Sequence, residues 1–263
     1  FACVSYLDEV IGDLFLRLEG SGLLENTIIV YTSDHGEMAG EHGVWWKNGW
    51  YEACTRVPLM ISLPEHRVGG VHAYQCHTPV GLIDLFPTLC SLSETPIPEG
   101  LDGVDLSKSI VHHIPIPDRP IYSDNLMPRW GEGMEFRSIR WKHFKYVRFR
   151  NAPPLFFNLQ DDPGEQKNLT DKTKTSDEQE ALQYLSTHAE ESIDFDQAEK
   201  DRLVRDGHLR QEYAHHAPDS TGNLYHMPSG QIINAEDTLY HPTVIADDGR
   251  DIFGPDWEAQ NKS

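Results

Sequence analysis

The residues best suited to chemistry lie in one stretch, Thr32-Ser-Asp-His-Gly-Glu-Met-Ala-Gly-Glu-His-Gly-Val-Trp-Trp-Lys47. A carboxylate and an imidazole side by side, Asp34 and His35, can share one divalent cation, the carboxylate supplying the hard oxygen. Gly36 is expected to let the backbone turn sharply around such an ion. Lys47 offers a mobile point charge suited to a tetrahedral oxyanion. His42 lies in the same stretch, where it can approach a substrate or order the loop. Asp-His-Gly alone also fits a helix cap followed by a structural histidine.

The elements around this stretch decide where it sits. Val4, Leu7, Ile11, Leu14 and Leu18 recur at spacings of three and four and mark one face of a helix, which Gly20-Ser21-Gly22 stops. Thr27-Ile-Ile-Val-Tyr-Thr32 reads as a fully buried parallel strand feeding directly into Asp34 and His35. In open α/β sheets, ligands gather beyond the carboxyl ends of strands. Val57–Leu63 reads as a second buried strand and Val71–His77 as a third, while Asp84 is placed to cap a short helix with Pro87 in its first turn.

After about residue 115 the pattern changes. Two strands fall within Phe136–Arg150 around Trp141-Lys142-His143, a third over Pro154–Leu159, and a turn at Asp161-Asp-Pro-Gly164. Ala181, Leu182, Leu185, Ala189 and Ile193 mark a helix starting near Ser176-Asp177. The expected organisation is residues 1–115 as part of an α/β catalytic domain, 116–194 as a small antiparallel-sheet and helix subdomain, and 195–263 as an acidic extension, with homo-oligomer formation a possible use for the last.

Charge and composition narrow the function. The chain has 263 residues and a formal charge of −20. Residues 1–150 carry −6 of this and 151–263 carry −14. A nucleic-acid binder needs a basic footprint, so nucleic acid is not an expected partner. The longest apolar stretches are too short to span a bilayer. Four cysteines (Cys3, Cys54, Cys76, Cys90) lie far apart without a CxxC, which reads as free buried thiols rather than a zinc site or disulfide framework. His112-His113 and His215-His216 read as surface histidines, because adjacent residues rarely point the same way on regular elements. Met127–Glu135, with Arg129 and Trp130, reads as a candidate lid.

Beyond the Asp-His pair, further motifs follow in order: Asn26–Gly43, Lys47, Tyr51-Glu52, Arg56-Val-Pro-Leu59, Asp84-Leu-Phe-Pro-Thr-Leu89, Pro98-Glu-Gly-Leu-Asp-Gly103, Lys145-Tyr146-Val147, Asp162-Pro-Gly-Glu165 and Asn168-Leu169. Over roughly residues 3–190 the chain strongly resembles the sulfatase family of the alkaline-phosphatase superfamily. The resemblance implies an alkaline-phosphatase-like α/β sandwich with a mainly parallel sheet. It also implies a metal-dependent hydrolase of sulfate monoesters on small molecules or carbohydrates. By motif position, Asp34 and His35 take metal-ligand roles, and Lys47 takes the role of the lysine that binds the sulfate near the leaving oxygen. The cation implied is calcium, with manganese, magnesium or zinc open. Tyr51 and Glu52 are expected to hold the Lys47 loop.

One departure stands out. Sulfatases use a formylglycine nucleophile made from a Cys-x-Pro-Ser-Arg-like motif, and this sequence has none. The family's early paired aspartates are missing too. The nucleophile is therefore expected in an N-terminal half outside this sequence, and the chain alone is expected to be inactive. Two other readings stay open: a phosphonate monoester or phosphodiester hydrolase of the same superfamily, suggested by Pro153-Pro-Leu-Phe-Phe157, and a non-catalytic structural or interaction fragment.

Overall fold

The computed structural model describes residues 2–47, 49–67, 74–127 and 133–212, and four short strands at 224–226, 232–234, 244–245 and 251–252. The chain divides into two compact units, Phe1–Glu199 and Lys200–Ser263.

In the first unit, α1 (Ala2–Gly20) follows the predicted periodicity and is stopped at Ser21-Gly22, Gly22 having φ 71°. None of its residues is buried. β1 (Ile29–Thr32) leads into the Asp34 segment, followed by the short α2 (Glu52–Thr55), β2 (Leu59–Ser62) and α3 (Pro64–Arg67). β1 and β2 pair antiparallel, Ile29 opposite Ser62 and Thr32 opposite Leu59. That corrects the reading of β1 as a fully buried parallel strand: its residues are half-buried or exposed, and Met60 of β2 is 59% exposed. A β-branched apolar run reports the strand itself, while direction and cover come from whatever packs on it. Arg67 ties this pair to the preceding turn, its guanidinium donating to the carbonyls of Ser62 and Thr27.

No strand forms over residues 74–77, and residues 71–73 of the third expected strand lie outside the described residues. α4 (Leu85–Leu92) and α5 (Ser107–His112) follow. Asp84 is fully buried, but its carboxylate does not cap α4. Instead it accepts the Gly81 N–H (2.9 Å) and the Val104 N–H (2.9 Å) and pairs with Arg119. Thr88 continues this polar knot, donating to the Asp84 carbonyl and accepting the Leu106 N–H. Gly103 belongs here for lack of a Cβ, which would meet the Ile83 carbonyl oxygen at 2.1 Å.

A four-stranded antiparallel sheet then forms from β3 (Ile121–Asn125), β4 (Phe136–Trp141), β5 (Phe144–Phe149) and β6 (Leu155–Asn158), in sequence order. Its two faces have different partners. Ile139, Phe144, Tyr146 and Phe156 pack on Ala181, Leu185 and Ala189 of α6 (Ser176–Glu191). α6 starts as expected, because the Thr175 hydroxyl accepts the Glu178 N–H while the Glu178 carboxylate accepts the Thr175 N–H. On the opposite face, Phe136, Val147 and Phe149 pack with Trp50, next to α2 in sequence. That second face positions the site.

α7 (Phe195–Glu212) completes the long helices. In the second unit, β7 (Leu224–His226) pairs antiparallel with β8 (Ile232–Asn234), and β9 (Val244–Ile245) with β10 (Asp251–Ile252). No helix of the described residues is long and apolar enough to cross a membrane. Cys54 and Cys90 are buried and lie outside any disulfide, as expected, whereas Cys3 and Cys76 are exposed, which corrects that reading for two of the four.

Candidate active site

β1 ends at Thr32, and the next four residues make the turn that carries Asp34 and His35. The Ser33 hydroxyl donates to the His35 carbonyl (2.8 Å), and the His35 N–H donates to Asp34 Oδ1 (2.9 Å). That backbone N–H is the main reason the Asp34 carboxyl lies below its ordinary value, so it is ionised at neutral pH. The His35 Nδ1 lies 2.8 Å from the Gly36 carbonyl oxygen. A carbonyl can only accept, so Nδ1 carries the hydrogen, which leaves Nε2 as the ring nitrogen that a metal would take.

His35 Nε2 stands 3.3 Å from Asp34 Oδ2. Two ligand atoms each at roughly 2.0–2.4 Å from one ion stand about 3 Å apart, so this spacing suits a shared cation. The imidazole held through its other nitrogen by a carbonyl is the support that metal-bound histidines usually have. Asp34 and His35 therefore fit as two ligands. Among the described residues, no group of three or more His, Cys, Asp or Glu side chains is placed to hold a metal.

Gly36 is required for a reason other than the one expected. A Cβ there would lie 1.9 Å from the Ala53 carbonyl oxygen, and the Gly36 N–H donates to the Cys54 carbonyl (2.8 Å). The glycine lets the end of β1 touch the backbone of α2.

The chain from Glu37 to Trp46 closes into a loop. The Glu37 carboxylate accepts the N–H groups of Ala39 (3.1 Å) and Trp46 (2.6 Å), and the Met38 N–H donates to the Trp46 carbonyl (3.1 Å). Met38 plugs the loop at 1% exposure. These bonds bring Trp46 back to Glu37, so Lys47 follows the crossing immediately and Asp34 and His35 precede it by a few residues. Lys47 is exposed, and its ammonium has no hydrogen bond or ion pair among the described residues. Ala39, His42 and Trp46 have φ of 48°, 53° and 76°. Left-handed conformations at residues other than glycine persist only where the surroundings over-determine them.

Those surroundings include Tyr51, whose ring stacks on His42 at 3.7 Å and 10°. Burial, and secondarily the charge of Glu165, push the Tyr51 hydroxyl up from its ordinary value. Glu52 is gripped in turn: its N–H donates to Glu165 Oε2 (2.6 Å), and its Oε1 accepts from Lys145 Nζ (3.1 Å). Trp50 meets Phe149 edge-on at 4.8 Å and Phe136 at 5.6 Å. Trp50, Lys145 and Glu165 were not singled out as positioning groups from the sequence. The available signal was a lysine amid the aromatic strand Phe-Lys-Tyr-Val-Arg-Phe149, an expensive residue to bury unless paired.

His113 lies beyond the end of α5 with its ring 4.7 Å from that of Tyr74. Residues 128–132 of the candidate lid, and His215-His216, lie outside the described residues.

Comparisons with known proteins agree on the family. Residues 1–95 match the Sulfatase family model. The ulvan-active sulfatase of Formosa agariphila is 35% identical over 176 residues, covering 65% of this chain and 34% of that protein. A solved structure in complex with its substrate D-glucosamine-2-N,6-O-disulfate is 27% identical, with a TM-score of 0.54 over 83% of this chain and 41% of that one. The phosphonate monoester hydrolase of Agrobacterium radiobacter is 25% identical, with a TM-score of 0.54 over 88% and 43%. The chain spans about a third of the length of the curated relatives it matches. Motif order, α/β fold and relatives coincide, and all mark the chain as similar to the sulfatase family, with an alkaline-phosphatase-like fold.

Proposed function

We propose that this chain supplies the Asp-His metal ligands and the anion-binding lysine of a sulfuric ester hydrolase acting on sulfate monoesters. The observation that carries this reading is the pairing of Asp34 Oδ2 and His35 Nε2 at 3.3 Å, beyond the end of β1, in a family of metal-dependent hydrolases. In this reading residues 1–115 are the C-terminal part of the catalytic domain, 116–194 its small subdomain and 195–263 an extension. Asp34 and His35 hold a divalent cation, calcium by family resemblance. When bound, the cation supplies Lewis-acid stabilisation of a developing oxyanion.

The chain's own residues bind and orient. Lys47 attracts the sulfate and offsets charge near the leaving oxygen. Its loop is held closed by Glu37. His42, fixed on Tyr51, is placed to contact the substrate from the same loop. A formylglycine nucleophile is supplied from outside this sequence. The solved relative in complex with D-glucosamine-2-N,6-O-disulfate supports sulfated carbohydrates as the substrate class.

The similarity to the phosphonate monoester hydrolase, over 88% of this chain, favours a second reading with that leaving-group chemistry. Parallel assays of an aryl sulfate, a phosphodiester and a phenylphosphonate, with the protein that includes the nucleophile, separate the two. Turnover of the sulfate ester above the others is expected; a phosphonate preference overturns the sulfatase reading. Asp34→Ala is expected to lose both bound metal and activity. Stoichiometric metal retained by that variant refutes the ligand assignment. Lys47→Ala is expected to keep metal and to lose anion affinity and turnover.

A further inference from the structure

Lys145 is among the largest fully buried side chains of the described residues, at 1% exposure. It sits on β5 directly opposite Arg140 of β4, so both point to the same face of the sheet. Cross-strand neighbours on one face have Cβ atoms roughly 4.5–5.5 Å apart, and like charges there repel. Burial holds the Arg140 guanidinium below its ordinary value, against the opposing pull of Glu52 and Glu165. The pair creates a buried positive socket that a hydrophobic sheet face cannot tolerate empty.

Two carboxylates fill it. Lys145 Nζ lies 2.9 Å from Glu165 Oε1 and 3.1 Å from Glu52 Oε1, and 3.4 Å from the Thr55 hydroxyl. Glu165 is 5% exposed and comes from the turn after β6, where it has φ 52°. Burial raises its carboxyl above the ordinary value, with Lys145 opposing. A buried carboxylate in a left-handed conformation has two costs, and its surroundings must compensate both. Its second oxygen takes the N–H of Glu52, the first residue of α2. Glu52 is therefore held at both its backbone and its side chain, and its neighbour Tyr51 is the platform for His42.

The geometry points to Lys145 and Glu165 as positioning residues for the Lys47 loop: they lock Glu52 onto the antiparallel sheet, and through the Tyr51–His42 stack they set the left-handed backbone that presents Lys47. This rests on the reading of Lys47 as the anion-binding lysine. The sheet part is thereby a working component of the active site.

The test is amide hydrogen exchange on this chain, with Glu52→Gln, Lys145→Met and the double variant, read separately at Met38 and Trp46 in the loop and at Ile139 and Val147 in the sheet. Each single variant is expected to speed loop exchange roughly tenfold or more, the scale of one lost charge-assisted hydrogen bond. Sheet protection stays near wild type in Glu52→Gln, which leaves the buried lysine paired with Glu165. The double variant is expected to add far less than the two singles together, because both act through one contact. Loop exchange unchanged in Glu52→Gln, with the sheet protected, overturns the proposal. So does simple additivity. Should Lys145→Met also loosen the sheet, Glu52→Gln still decides. Inorganic sulfate titrated into wild type and Lys47→Ala separates the underlying reading: equal affinity defeats the role of Lys47, while the exchange result stands on its own.

Discussion

The antiparallel sheet with α6 and the segment containing α1, β1 and β2 are equally clear as patterns, yet they are stabilised in opposite ways. In the sheet part, Ile139, Phe156, Ala181, Leu185 and Ala189 all show 0% exposure. Here the chain provides both surfaces of its own core. In α1 the apolar face is just as regular, but Val4 is 68% and Leu14 51% exposed. Between them, the 81–119 region buries polar groups, Asp84 and Thr88 at 0%, and is ordered by their hydrogen bonds. Periodicity thus reports which face is apolar, while burial depends on a partner surface being present. The site loop lies where the regimes meet, on the second face of the self-sufficient sheet.

The comparison can be broken by substitution, followed by urea or thermal unfolding. Phe156→Ala, at the centre of the sheet–helix core, is expected to cost about 3–5 kcal/mol. A loss below 1 kcal/mol shows that this core does not carry the stability assigned to it. Asp84→Ala leaves Arg119 and two backbone N–H groups without their shared acceptor, and a loss of about 3 kcal/mol is expected. If Asp84→Ala is neutral, the polar region is ordered by something other than its hydrogen bonds. Thr175→Ala removes the cap of α6 and is expected to cost about 1 kcal/mol. Helical content lost from α6 without a shift in the sheet melt contradicts their joint unfolding. Leu14→Ala on the exposed face of α1 is expected to stay within about 0.5 kcal/mol. A larger loss in this chain means that the α1 face has a partner in solution.

Much of the architecture is legible in the residues. The hairpin around Trp141-Lys142-His143, the strand ending at Asn158 and the helix from Ser176 all lie where alternation, turn residues and a capping threonine place them. The Asp34-His35 pair is legible because a strand ending in a polar, glycine-containing loop is a local signal. The direction of β1 is not, since an apolar β-branched run serves a parallel or an antiparallel neighbour equally. Nor is the role of Asp84: the spacing suggests a helix cap, whereas Gly81, Val104 and Arg119 converge on it from three separate segments.

The sequence by itself determined the order of motifs, the family resemblance, and the presence of a carboxylate, an imidazole and a lysine in one loop, because each is written in neighbouring residues. Tertiary structure alone decided what holds that loop. Lys145, Glu165 and Glu52 are up to 113 positions apart, and a lysine in an aromatic strand announces no partner. The physical reason is that burying a charge is unfavourable until an opposite charge arrives, and which carboxylates arrive depends on how the sheet is closed.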